Sequence, residues 1–252
     1  MIGIFDSGIG GLSVFREIRK ILPDEKYLYF SDNAHCPYGE KSQDYIISRS
    51  REITEFLLSQ GADIIVVACN TATAAAIKTL RTEYPIRFIG MEPAIKPAAA
   101  ITQTGIIGVL ATAGTLKADK YLDTRERLPE NIRIAEHVGE GFVELVESGE
   151  TSGVHAEAII ETSLKPLIEK GADTIVLGCT HYPFLAESIR NVAGKLTGKD
   201  GCIKIIDPAP AVARHLYEVM EEEHLIKKDG FSLELHSSAD TERLKETAAV
   251  LL

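Results

Sequence analysis

Residues 61–69 read Gly-Ala-Asp-Ile-Ile-Val-Val-Ala-Cys, and residues 171–179 read Gly-Ala-Asp-Thr-Ile-Val-Leu-Gly-Cys. Six of the nine positions are identical at an offset of 110, and both stretches close on a cysteine. Each begins with a glycine that stops a preceding helix and continues as a short run apolar on both faces. That is the signature of a strand covered by helices on either side of a parallel sheet. A weaker match, IGIFDSGIG at residues 2–10 against IGVLATAGT at residues 107–115, recurs at an offset of 105. Any α/β chain repeats helix–Gly–strand units, but cysteine is a rare residue to repeat by accident. Two similar offsets in the same order therefore predict a duplicated half.

Working outward, short runs rich in Ile, Val and Leu occur at 2–5, 27–30, 64–68, 86–89, 106–110, 132–135, 174–177, 203–206 and 231–235. Helical patterns separate them. Residues 42–60 carry Ile46, Ile53, Phe56 and Leu57 on one face and stop at Gly61; residues 154–170 behave alike and stop at Gly171. This alternation predicts an α/β chain of two pseudo-symmetric, doubly wound, mostly parallel domains, with the active site in the cleft between them. The expected first domain is 1–93 plus 208–252, where a helix, a strand and a final helix return to it. The expected second domain is 94–207, ended by Asp207-Pro208-Ala209-Pro210.

Composition sets the outer limits. The chain has 252 residues, is 45% hydrophobic and 25% charged, and carries a net charge of −10. A disordered tail is excluded by the apolar content, and nucleic acid is a disfavoured partner for so acidic a chain. No run approaches the ~20 apolar residues of a membrane span. The start, Met1-Ile2-Gly3-Ile4, has no basic, long-apolar leader, so a cytoplasmic protein is expected. Four scattered cysteines, Cys36, Cys69, Cys179 and Cys202, form no C-x-x-C and predict reduced thiols.

The paired cysteines are the chemical signal. Each is expected at the carboxyl end of a buried strand just before a helix, where open parallel sheets place ligands and where free N–H groups favour a thiolate. Cys69 is followed by Asn70-Thr71-Ala72-Thr73, and Cys179 by Thr180-His181-Tyr182-Pro183. Buried cysteines are commonly small hydrophobes, but polar residues directly behind both thiols weigh against that. A redox pair lacks a redox motif. A zinc site from His35, Cys36, Cys69, Cys179 and His181 lacks a structural zinc spacing. A third chemistry fits better: two bases on opposite faces of one carbon invert it, one thiolate removing a proton while the opposite thiol delivers one.

Other strand ends add polar groups. Asp6-Ser7-Gly8 follows the first run, with Gly10-Gly11 behind. His35-Cys36-Pro37-Tyr38-Gly39-Glu40-Lys41 follows the second, and Ala111-Thr112-Ala113-Gly114-Thr115 a later one. A dinucleotide fingerprint fails because position 13 is Ser13 rather than glycine. Lys41 stands in no pyridoxal phosphate context and reads as a solvated lysine.

The strings at residues 3–13, 37–41, 68–72 and 178–183 closely resemble glutamate racemase, and the match runs essentially the whole chain in order. A wider superfamily of aspartate and hydantoin racemases shares the cysteine pair. The resemblance implies interconversion of L- and D-glutamate with no cofactor and no metal, supplying D-glutamate for peptidoglycan, in a homodimer. It implies Cys69 as base for D-glutamate assisted by Asp6, and Cys179 as base for L-glutamate assisted by His181. A glutamate in the second half is expected at that second thiol, with Glu147 preferred over Glu144. Substrate would be held by Asp6, Ser7, Tyr38, Gly39, Asn70, Thr71, Thr180 and His181, with Thr112 and Thr115 as further candidates. The chain begins directly at its first strand, so activation by a cell-wall precursor is not expected. Near the end, residues 235–240 depart from the Thr-Thr-Gly-Asp string of many relatives. The rival readings are a racemase for aspartate or a related acid, and a non-catalytic amino-acid-binding α/β protein.

Overall fold

A computed structural model describes residues 1–92 and 94–252. The first part of the chain runs β1 (Ile2–Asp6), α1 (Leu12–Ile21), β2 (Lys26–Ser31), α2 (Gln43–Ser59), β3 (Ile64–Val67), α3 (Asn70–Glu83) and β4 (Arg87–Gly90). It continues through α4 (Ile95–Ile101), β5 (Ile106–Ala111), α5 (Ala113–Leu116), α6 (Asp119–Glu126), β6 (Arg133–Val138), α7 (Phe142–Glu147) and α8 (Val154–Glu169). Then follow β7 (Thr174–Gly178), α9 (Ala186–Thr197), β8 (Lys204–Ile206), α10 (Ala209–Glu222), β9 (Ser232–Ser237) and α11 (Thr241–Leu251). All nine apolar runs are strands or overlap one, the largest offset being at β6, which begins and ends later than its run.

The chain forms two compact units, Met1–Glu92 with Ala209–Leu252, and Pro93–Pro208. The expected boundary at 93 falls on a residue outside the described ones. Each unit is built on one sheet, ordered β4-β3-β1-β2-β9 and β6-β5-β7-β8, and every pairing is parallel. With β1 set against β5 and β3 against β7, the two orders are the same, and β9 is the one addition.

The first sheet is covered on both faces. Phe5, Leu28, Ile65 and Val67 face Ile53 and Leu57 of α2 and Ala76 and Leu80 of α3. The alternate residues face α1, where Phe15 meets the Tyr27 ring edge-on at 5.1 Å. In the second unit, Ile107, Val109 and Val176 pack on Ile95 and Ala98 of α4 and Tyr121 of α6. Strands β1, β3 and β7 are buried at every residue, which is why they read as unbroken apolar runs.

The duplication extends to local backbone geometry where the repeated stretches begin. Gly61 and Gly171 share φ +88°, and each ends its helix in a Schellman motif. Gly61 and Ala62 donate to the carbonyls of Leu58 and Leu57; Gly171 and Ala172 donate to those of Ile168 and Leu167. Register agrees too, since Ile2 pairs with Ile64 and Ile107 with Thr174. A Cβ on Gly3 would meet Ala62, Leu57 and Ile65, and one on Gly108 would meet Ala172, Leu167 and Ile175, the counterparts at the offset of 110. Among the described residues no helix is long and apolar enough to cross a membrane.

Candidate active site

In each unit the chain leaves the central strand in one direction and returns on its other side, so β1–β3 and β5–β7 are the points where strand order reverses. Crevices at the carboxyl ends of such strands are where open α/β sheets bind ligands. Asp6 and Cys69 stand at the first, and Ala111-Thr112 and Cys179 at the second.

The first half-site is built on backbone N–H groups. Asp6 is fully buried, and its Oδ2 accepts from Gly8 at 3.2 Å and Gly11 at 3.0 Å. Gly11 is needed there for space, since a Cβ would lie 2.7 Å from Asp6 Cβ and 2.8 Å from the Tyr29 hydroxyl. That hydroxyl donates to the Gly8 carbonyl at 2.8 Å and fixes the turn. Cys69 caps α3, its Sγ accepting from the Ala72 N–H at 3.4 Å and lying 3.7 Å from Ser7 Oγ. Capping by the thiol satisfies an otherwise orphan donor and places the sulfur at the positive end of a helix. Asn70 and Thr71 are buried in the first helical turn, and Asn70 Oδ1 has no hydrogen-bond partner among the described residues. A buried orphan acceptor beside the thiol suits a substrate donor such as an ammonium.

The second half-site works differently. Cys179 Sγ lies 3.8 Å from His181 Nδ1, and His181 Nε2 lies 2.7 Å from Glu147 Oε1. With the Nε2 proton given to the carboxylate, Nδ1 turns its lone pair toward the thiol, an arrangement able to take the thiol's proton. Glu147 ends α7 and is part-exposed, while Glu144 on the same helix is exposed. Thr180 is buried beside Cys179. Thr112 and Thr115 lie Oγ1 to Oγ1 at 3.0 Å, with Thr112 capping α5.

The expectation that a helix starts directly behind both cysteines holds only for Cys69. There the Thr73 N–H closes the first helical bond to the Cys69 carbonyl at 2.8 Å. The residue 110 positions later is Pro183, which has no N–H to give. The chain therefore makes a tighter turn, Tyr182 to the Cys179 carbonyl at 3.2 Å, then a 3-10 segment at Tyr182–Leu185, and α9 starts only at Ala186. The second thiol is served by His181 in place of a helix end.

Tyr38 and Gly39 lie on a short 3-10 turn, Tyr38–Glu40. The Tyr38 hydroxyl donates to Asp32 Oδ2 at 2.5 Å, and the ring packs in the core cluster that includes Cys69 and Ala72. Burial, reinforced by the Asp32 charge, pushes this phenol far above its ordinary range. Asp32 was not singled out in the sequence. It is fully buried and also takes Arg49 Nη2 at 2.8 Å, Arg49 Nε at 3.1 Å and His35 Nδ1 at 2.9 Å. Burial would raise its carboxyl, but the hydrogen bonds from Arg49, Tyr38 and His35 outweigh that and hold it below the usual range. The available signal was an aspartate directly after a buried strand, one position beyond the counterpart of Asp6. The divergent 235–240 segment also bears on this loop, since Ser238 Oγ accepts from the Ala34 N–H at 3.0 Å.

The chain is similar to known proteins over its whole length. The family model for Asp/Glu/Hydantoin racemase matches residues 2–216. A glutamate racemase of Stutzerimonas stutzeri is 45% identical over 251 residues, covering 99% of this chain and 93% of the relative. The solved glutamate racemase isoform RacE1 of Bacillus anthracis superposes with a TM-score of 0.88 at 30% identity, over 100% of this chain and 93% of that one. The Escherichia coli glutamate racemase, solved in complex with L-glutamate and the activator UDP-MurNAc-ala, superposes at 0.86 and 34% identity, over 99% and 93%. The chain belongs to the Asp/Glu/Hydantoin racemase family and, within it, to the glutamate racemases.

Proposed function

We propose that this protein racemises glutamate without a cofactor by a two-base mechanism, Cys69 acting on the D enantiomer and Cys179 on the L enantiomer. The observation that carries the reading is the duplicated strand-end thiol, each thiol with its own proton-handling surroundings. The complex of the E. coli relative with L-glutamate supports the substrate. One thiolate removes the α-proton while the opposite thiol protonates the other face; the two enantiomers have equal free energy, so a duplicated site suits a reaction run both ways. The α-proton of an amino acid is weakly acidic, and preorganised dipoles must carry much of the barrier reduction. At Cys69 the helix end and Ser7 hydroxyl supply them; at Cys179 the imidazole–carboxylate pair does. Asn70, Thr71 and Thr180 hold the substrate, with Ser7 and the backbone around Gly39. D-glutamate made this way serves peptidoglycan synthesis, in a cytoplasmic homodimer.

The test is to incubate the protein with L-glutamate in heavy water, following the α-proton by NMR and optical rotation by polarimetry. The expected outcome is α-deuteration accompanying racemisation, abolished in Cys69→Ala and in Cys179→Ala. Racemisation surviving in either variant overturns the two-base assignment. Activity on aspartate in place of glutamate overturns the substrate.

A further inference from the structure

The first half-site contains a buried ion pair that the mechanism above does not use. Asp32, at the end of β2, receives four donors: two nitrogens of Arg49, the Tyr38 hydroxyl and His35 Nδ1. Arg49 reaches it from the middle of α2, its side chain mostly covered. Its remaining arm pairs with Glu52 on the same helix. The planar guanidinium therefore spans from a rigid helix to the loop that follows β2, and that loop carries Tyr38 into the buried cluster that also holds Cys69 and Ala72.

We infer that Arg49, acting through Asp32, is a positioning residue for the Cys69 half-reaction: it fixes the Tyr38 ring that walls the Cys69 thiol. Three features point this way. A fully buried carboxylate is costly unless paired, and here the pairing is complete. Two-point contact from Arg fixes orientation, which a lysine point charge does not. The phenol donates inward to Asp32, so its hydroxyl orients the ring. The Tyr38–Glu40 turn also packs against α3, the helix that Cys69 caps, and Tyr38 and Cys69 belong to one buried cluster.

This rests on the two-base reading and makes an asymmetric prediction. Racemisation has an equilibrium constant of one, so kcat/KM must change equally in both directions, and that ratio cannot reveal which thiol is affected. Deuterium isotope effects can. In Arg49→Met, kcat should fall roughly ten- to a hundredfold, the scale of an ångström-level misplacement, with KM changing less. The isotope effect on 2-deuterated D-glutamate, whose deuteron Cys69 removes, should rise. That on 2-deuterated L-glutamate, removed by Cys179, should fall, because the Cys69 side becomes limiting in both directions. Arg49→Lys should recover less than half of the loss, since it restores the charge without the fork. Tyr38→Phe, which keeps the ring and removes only the bond to Asp32, should show the same opposed isotope effects more weakly and guards against a misfolded Arg49 variant. Equal isotope effects in the two directions, or full recovery in Arg49→Lys, overturn the inference while the two-base reading stands. Absence of α-exchange in the unmodified protein overturns both.

Discussion

Replacing Gly11 by alanine tests how the first half-site is built. Gly11 caps α1 at φ −61° and ψ −14°, an ordinary helical conformation, so the backbone tolerates any residue. Alanine there gains about 0.4–1 kcal/mol from a stiffer unfolded chain. Space opposes it. The added Cβ would sit 2.7 Å from Asp6 Cβ, 2.8 Å from Tyr29 Oη and 3.2 Å from Ala68 Cβ. Carbon contacts relax only at about 3.5–4.0 Å, so Asp6 Cβ must retreat by about 1 Å. It cannot do so freely, because Asp6 is fully buried in a strand and its carboxylate is held by two N–H groups. Overpacking of this kind costs about 1–3 kcal/mol. The net destabilisation is about 1–2 kcal/mol, which at roughly 2–4 °C per kcal/mol lowers Tm by several degrees. On the two-base reading, a displacement of that size in the Cys69 surroundings should slow racemisation about ten- to a hundredfold. Differential scanning calorimetry and polarimetry on Gly11→Ala measure both. An unchanged Tm with an unchanged rate would refute the claim that Gly11 is there to let Asp6 in.

Three further outcomes are expected. Glu147→Gln removes the charge behind His181 from a part-exposed position, so racemisation should drop at least tenfold with Tm nearly unchanged. Gly61→Ala places a side chain at φ +88° in open space and should cost about 1–2 kcal/mol of pure backbone strain. Gly171→Ala has the same φ and adds a 3.2 Å contact with Ile106 Cδ1, so paired denaturant titrations should rank it lower. Asp173 accepts from the Thr102 hydroxyl at 2.6 Å and from the Gln103 and Thr104 N–H groups at 2.6 and 3.0 Å. Burial would raise its carboxyl, but these bonds hold it below the usual range. Its stabilising contribution is therefore full above the unfolded carboxyl value of about 3.9 and is lost as pH falls through the lower folded value. Tm measured against pH should show Asp173→Asn below the parent protein at neutrality and converging with it in strong acid.

The architecture was legible because strands buried on both faces must be apolar throughout. The equality of the two sheet orders follows from the repeat that ends on Cys69 and Cys179. What escaped were side-chain partnerships set by tertiary placement. Arg49 lies on a helix pattern that looks solvated, and only the crossing of α2 over β2 brings it to Asp32. Tyr38 sits in a recognisable motif, yet its hydroxyl partner six residues upstream decides which way it points. The difference between the two thiols was written in the chain at two positions, Thr71 against His181 and Thr73 against Pro183, and became visible as an imidazole beside one thiol and a helical bond made only behind the other.

The fifth strand has a consequence for solubility. The region shared with the family model ends at residue 216, whereas β9 spans Ser232–Ser237 and pairs with β2 along its whole length, Lys26 to Ser31. Tyr27, Leu28 and Tyr29 of β2 are fully buried, the composition of an interior strand. Trimming the chain to the shared region would turn that strand into a rim: a row of unsatisfied N–H and C=O groups flanked by large apolar side chains and offered to any neighbouring molecule. Such a fragment keeps Asp6, Cys69, Cys179 and His181, and it should nonetheless be lost to self-association before its chemistry can be measured.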